Sequence, residues 1–358
     1  MKYCPYLFTL LFLLSCSKKP EIDYSETDWA FYELKGNVKS MSEKSFAATT
    51  IPGKPAMNRE NPAEHNTDLY FSEQGKLILE KKWIDNGQPF EETKYNGKNQ
   101  KLSATQYING KPYTITEYKW DKTGKINIVA ERKNPDNTII EKTIIKVVTG
   151  LPFERLTYNA RGNLKEKIQY FYDNQRKLYA ENLYYNIEIL EQRTQYEYDA
   201  QNRKIAEIKT GNNGELLSKT TYQYEGQNIS TIINYNHKNE TDNYEKYEYD
   251  SKNNMTVKVF YSEFDKIESK ELFMYNNKNK KTGNKSYENG LLQSITLINY
   301  DKSGNISAIS TTNAEGRVTD EKRYTYTYDS QGNWITKNIM YTTGDKRSYR
   351  IIRKIEYY

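Results

Sequence analysis

One unit is written again and again through this chain at a period of about 25 residues, and a period of that size leaves few folds open. From residue 66 onward an aromatic residue is followed by Asp, Asn or another small polar residue, then by two or three polar residues, then by a Gly/Asn or Asn/Lys element and an aliphatic. Tyr326-Thr327-Tyr328-Asp329-Ser330-Gln331-Gly332-Asn333-Trp334 is the clearest copy. The last aromatic before the turn falls at Phe71, Tyr95, Trp120, Tyr172, Tyr198, Tyr224, Tyr249, Tyr275, Tyr300 and Tyr328, with Val148 in the one gap, so successive anchors lie 24 to 28 residues apart. Ten of the eleven anchors are aromatic and eight of the residues after them are Asp or Asn, a phase that an unpatterned polar chain does not keep.

A second turn signal follows most anchors by 14 or 15 residues: Asn86-Gly87, Asn109-Gly110, Gly162, Asn213-Gly214, Asn289-Gly290, Glu315-Gly316 and Thr343-Gly344. Asn-Gly marks a tight hairpin, because both central residues of a type I′ turn need positive φ. Between turns the residues alternate as strands do. Tyr324, Tyr326 and Tyr328 fall on one face with Thr325 and Thr327 opposite, and Tyr222 and Tyr224 on one face with Gln223 opposite. Each unit is therefore strand, turn, strand, turn. Eleven units, a strand opened by Lys35-Gly36-Asn37-Val38 and a last one in 347–358 predict an all-β chain, an antiparallel meander of about 24 strands from two-strand repeats.

The stretch 48–68, with three of the nine prolines and one of the two histidines, reads as a loop insertion. An open sheet of this size accumulates twist and exposes its edges, so it is expected to curl or to close into a large soluble barrel or shell. A barrel set in lipid is disfavoured, because mid-strand positions such as Lys246 and Glu248 carry charge on the face opposite the aromatics.

Tyr196-Glu197-Tyr198-Asp199, Tyr247-Glu248-Tyr249-Asp250 and the copy at 326–333 resemble the YD repeats of Rhs-type and teneurin-like proteins. The resemblance covers nearly the whole chain after the leader and implies a β-sheet shell or barrel. Rhs proteins enclose a C-terminal toxin behind a self-cleavage region, whereas this chain ends at Ile355-Glu356-Tyr357-Tyr358, still inside the strand pattern. No enclosed cargo is expected.

Met1-Lys2 precedes the apolar run Tyr6 to Leu14, too short for a membrane-spanning helix and suited to an export signal. Leu13-Leu14-Ser15-Cys16 resembles the bacterial lipobox, which implies cleavage after residue 15 and lipidation of Cys16. On that reading 1–15 is the signal peptide, 16–28 a tether and 29–358 one β-repeat domain. The Lys, Asn and Tyr richness also looks like exported lipoproteins of the Bacteroidota, some porin-like. The expected place is the outer membrane, facing the periplasm rather than the cell surface, because Lys18-Lys19 lacks an acidic export tag.

With Cys4 removed and Cys16 acylated no thiol remains, so no disulfide, Cys-ligated metal or Cys nucleophile is expected. The formal charge of +6 is spread without a basic block, which speaks against nucleic acid as a partner. Asp121, Asp173, Asp199, Asp250, Asp301 and Asp329 recur at one turn position and read as caps of their own backbone. His65 and His237 read as loop residues, so neither a metal site, a cofactor nor a catalytic set is expected. Most tyrosines read as cross-strand ladders, while Trp83, Trp120 and Trp334 are the candidate binding aromatics. The expected function is a lipid-anchored scaffold or binding protein for an envelope glycan or protein. The alternative is a polysaccharide hydrolase with carboxylates inside the curl. The oligomeric state is not legible.

Overall fold

The computed structural model describes residues 22–48, 66–84, 87–185, 189–343 and 348–358. The signal segment, Cys16, His65 and most of the loop at 48–68, Asn86 and Gly344 lie outside the described residues. The rest is a single antiparallel sheet of 24 strands, from Val38–Ala48 to Ser348–Tyr357, in which each strand pairs with its neighbours in sequence. The first strand also pairs with the last, from Val38↔Tyr357 to Ala48↔Ser348, so the meander closes into a barrel and no edge is left open.

The turns explain the consensus. In the YD type the first turn residue both donates to and accepts from the far side: Asp329 N–H bonds Asn333 O at 2.9 Å and Gly332 N–H bonds Asp329 O at 3.1 Å. This geometry puts one residue in the left-handed region, filled by Gly332, Gly304, Gly124, Asn202, Asn253 or Asn279, which is why the repeat carries Gly or Asn there. The aspartates cap as expected. Asp173 Oδ1 accepts from Gln175 and Lys177 N–H at 2.9 Å, and Asp250 Oδ1 from Lys252 and Asn254 N–H at 2.9 Å. Asn109-Gly110 and Asn289-Gly290 have both residues at positive φ, as a type I′ turn requires. Asn213-Gly214 differs: only Gly214 is positive and Gly214 N–H bonds Gly211 O, so it is a longer turn of the YD geometry.

Just before most anchors the ladder slips by one residue, as between Glu197/Tyr198 and Glu248/Tyr249, and such a bulge increases local twist. The anchor hydroxyl then reaches the carbonyl of the residue that opens the preceding strand: Tyr198 to Leu178, Tyr224 to Lys204, Tyr275 to Met255 and Tyr300 to Lys281, at 2.7 to 2.9 Å. These pegs line one rim, here the anchor rim.

Followed from Met41 through Leu69, Glu80, Thr93, Ala104, Thr116, Arg132 and Glu141 to Asn159, the register drifts from the anchor rim to the opposite one. With the right-handed coil that strand twist imposes, this drift places that row on the inside. Neighbours along the strands agree, since Thr114 and Thr194 are buried while Glu117, Gln195 and Glu197 are exposed. The expectation of an aromatic face opposed to a charged one holds only near the anchor rim, because deeper down the inner wall carries Glu245, Lys258 and Glu271 beside its tyrosines.

Residues 23–28, on the tether side of the expected boundary, are packed onto the barrel. A 3-10 turn (Tyr24–Glu26) and one helical turn (Asp28–Phe31), capped by Thr27, lie across the anchor rim at the closure. Asp28 accepts from Leu77 N–H and from Asn99 Nδ2. Trp29, 2% exposed, donates Nε1 to Val38 O at 2.8 Å and packs with Leu34, Met41, Leu69, Phe71 and Leu77 in a buried cluster. Asn333 binds both N–H and C=O of Lys35, tying the segment to the far side of the closure.

Candidate functional site

Between residues 155 and 222, below the anchor rim, the inner wall carries a cluster of ionisable groups. The ladder sets Tyr170 opposite Glu181 and Tyr196 opposite Glu207. Tyr196 lies beside Glu181, and Lys204, re-aimed by the bulge at its strand start, meets Glu207 at 2.9 Å and lies over the Tyr222 ring at 4.8 Å. Arg155 and Glu166 pair at 2.8 Å nearby.

The two carboxyls around Tyr196 are driven in opposite directions. Burial raises Glu181 above the usual carboxylate range, and the Tyr196 hydroxyl and Arg155 only partly offset it. Burial also pulls Glu207 upward, but Lys204 and Lys209 outweigh it and hold that carboxyl low. Burial, with Glu181 and Glu207 close by, pushes the Tyr196 hydroxyl well up, so it stays a donor.

Above this row a groove of about 610 Å³ opens between the turns at 173–177 and 199–203. Its lining includes Asp173, Lys177, Tyr179, Tyr196, Tyr198 and Asn202. Tyr198 is pegged to Leu178 O, and Lys177 sits over its ring at 4.6 Å while bonding Asn202. Tyr179 is 41% exposed.

The three sequence candidates lie apart from this groove. Trp120 occupies an anchor position and donates Nε1 to Lys101 O at 2.8 Å, the bond that the tyrosine pegs make elsewhere. Trp334 lies under the Arg353 guanidinium at 3.5 Å and edge-on to Tyr326. Trp83, near the opposite rim, donates to Asp68 Oδ2 at 2.9 Å. His237 is exposed in a turn. Among the described residues no three His, Cys, Asp or Glu side chains converge as metal ligands. Tyr179 went unremarked in the sequence, although nine of the eleven units fill its repeat position with an aliphatic or small polar residue and only Phe153 matches it.

Residues 300–340 match the family model described as RHS Repeat. No curated protein matches the sequence. Among solved structures, a porin-like protein of Bacteroides uniformis is 13% identical, with 60% of this chain and 95% of that chain covered at a TM-score of 0.28. A porin-like protein of Bacteroides vulgatus is 12% identical over 90% of this chain and 98% of that one, at 0.20. The Photorhabdus luminescens Tc holotoxin pore is 10% identical, at 0.25, over 81% of this chain and 24% of that one. The match at 300–340 falls on the copy from which the 25-residue unit is clearest, so that part of the all-β repeat array carries an RHS repeat.

Proposed function

We propose that the chain is a lipid-anchored envelope scaffold that binds a partner and has no catalytic activity. The observation that carries this reading is the occupation of the repeated groups: turn aspartates hold their own backbone and anchor hydroxyls hold neighbouring carbonyls. Such groups build a ring and are not available as a catalytic set.

The chain path supports the anchor reading. Tyr24 bonds Leu34 O and Lys76 bonds Glu26 O, so the chain leaves Ile22 at the anchor rim. The segment back to Cys16 spans at most ~20 Å, which sets that rim against the bilayer. Exposed Glu117, Lys119, Gln195, Glu197, Gln223, Lys246 and Glu248 on the outward face offer no apolar belt, which favours anchoring over insertion. Outer-membrane attachment on the periplasmic side remains part of this proposal. Cys16→Ala should shift the protein from the membrane fraction to the soluble one. Retention in the membrane by that variant would refute the anchor. Full-length protein in detergent should capture a glycan or an envelope protein without turning over polysaccharide.

A second reading rests on Glu181 and Glu207, two carboxyls from different units whose proton affinities are driven apart as an acid and a base require. Polysaccharide cleavage abolished by Glu181→Gln would establish it in place of the scaffold.

A further inference from the structure

We infer that the groove between the turns at 173–177 and 199–203 binds a neutral oligosaccharide, with Tyr179 as its stacking platform. The inference rests on the binding reading above and names its ligand class and place.

A repeat protein carries its own control, because a residue demanded by the fold recurs in each unit. The residue that the bulge after the YD turn leaves unpaired is Ile78, Leu102, Ile128, Ile205 or Ile335 in five units, and Thr256, Thr282, Ser230 or Ser307 in four more. The remaining two, adjacent in the chain, place an aromatic there, Phe153 and Tyr179, and of these only Tyr179 carries a polar end. Of its neighbours in the groove, Tyr198 is engaged with Leu178 O and Tyr196 lies beside Glu181. Among the described residues the Tyr179 hydroxyl makes no hydrogen bond, and its ring meets only Phe171, tilted at 6.4 Å. The fold therefore neither requires this side chain nor uses its polar end.

The surrounding groups suit a sugar. A saccharide ring offers an apolar C–H face to an aromatic plane and hydroxyls at its edge, so it needs a platform flanked by hydrogen-bonding groups. Asp173 Oδ1 accepts from the turn backbone at 2.9 Å, and among the described residues its Oδ2 has no hydrogen-bond partner, so this groove-lining residue keeps an acceptor to offer. Asn174, Gln175 and Asn202 supply amides. The volume of about 610 Å³ lies within the range of small-molecule sites. Charge narrows the class: Asp173 lines the groove without an ion pair, Asp199 is matched by Arg203 at 2.7 Å, and Lys177 is turned onto Tyr198 and Asn202. An anionic sugar would meet the Asp173 carboxylate with no cation free to receive it among the groove residues, and a neutral one would not be repelled.

The test uses full-length protein in detergent on a panel of neutral and acidic oligosaccharides, followed by titration of the tightest neutral one. Wild type should bind neutral glycans, Tyr179→Ala should lose at least about tenfold, and Tyr179→Phe should stay within about threefold because stacking is kept. Ile205→Ala, the same position one unit on, should bind as wild type does. Melting curves check that each variant is folded; the half-exposed site makes unfolding by Tyr179→Ala a small effect. Neutral binding that Tyr179→Ala leaves unchanged overturns the groove and leaves the scaffold standing. Capture of an envelope protein with no glycan bound, or binding of acidic glycans alone, overturns this inference in the same way. Binding of nothing at all overturns both. Shortened oligosaccharides among the products overturn the non-enzymatic reading while keeping the groove.

Discussion

Closure of the ring depends on the buried pair Glu43–Arg353, and breaking it should open one seam and leave the rest of the barrel intact. Arg353 Nε meets Glu43 Oε2 at 2.6 Å across the first and last strands, with the side chains only 14% and 9% exposed, and its guanidinium also covers the Trp334 ring. Burial already lowers the Arg353 proton affinity, and Glu43, with Glu33 further off, opposes that. Glu43→Ala strands a buried cation, which costs about 3–5 kcal/mol, whereas Glu43→Leu with Arg353→Met removes both charges and should recover most of it. An array of nearest-neighbour interfaces need not unfold in one step, so the effect is best read locally. Amide exchange in Val38–Ala48 and Ser348–Tyr357 should accelerate by at least about 100-fold in Glu43→Ala, with strands across the barrel unchanged. Seam exchange within about threefold of wild type, or equal acceleration in every strand, would refute the argument.

Deleting residues 225–249 removes one unit, keeps strand direction and should leave a soluble, protease-resistant ring, while deleting a single strand sets the last strand parallel to the first and should not; equal loss in both counts against the repeat architecture. Tyr224→Phe removes the peg to Lys204 O and should cost about 0.5–1.5 kcal/mol by denaturant melting, against under about 0.5 for exposed Lys246→Ala. Acid should destabilise the protein below about pH 4, because Asp250 and Glu207 have lowered pKa values and contribute stability that is lost as they protonate. Glu181 has the opposite sign: its raised pKa favours the fold at low pH and that contribution is lost as pH rises through it, so Glu181→Gln should raise the melting temperature at pH 7 and not at pH 3.

The strands and turns were legible in the sequence because local bonds decide them: an Asp caps two residues on, and Gly or Asn fills a left-handed position. That logic also supplied the strand number. It stopped at closure, because Val38–Ala48 and Ser348–Tyr357 are joined only through the summed twist of all the strands between them. The helical turn Asp28–Phe31 is too short to leave a periodic trace, although Thr27 caps it ahead of Trp29-Ala30-Phe31-Tyr32. Trp120 reads from the sequence both as an anchor and as a candidate binding aromatic, and its N–H makes the bond that the anchor hydroxyls make elsewhere. The opposed proton affinities of Glu181 and Glu207 arise from a cross-strand register that only the folded ladder supplies. Tyr179 was within reach, since an aligned set of repeats exposes the two units, at Phe153 and Tyr179, that break pattern.

Everything above depends on the barrel being closed, and a cross-link across the closure tests that most directly. Ser42 and Lys354 are ladder partners on the first and last strands. Facing residues of antiparallel strands lie within the Cα separation that a disulfide spans. Under mild oxidation Ser42→Cys with Lys354→Cys should form an intramolecular disulfide in nearly all molecules and shift mobility on a non-reducing gel. Ser42→Cys with Thr336→Cys, one strand further on, should not. Absence of the first cross-link in folded protein, or equal cross-linking of both pairs, would contradict the closed ring.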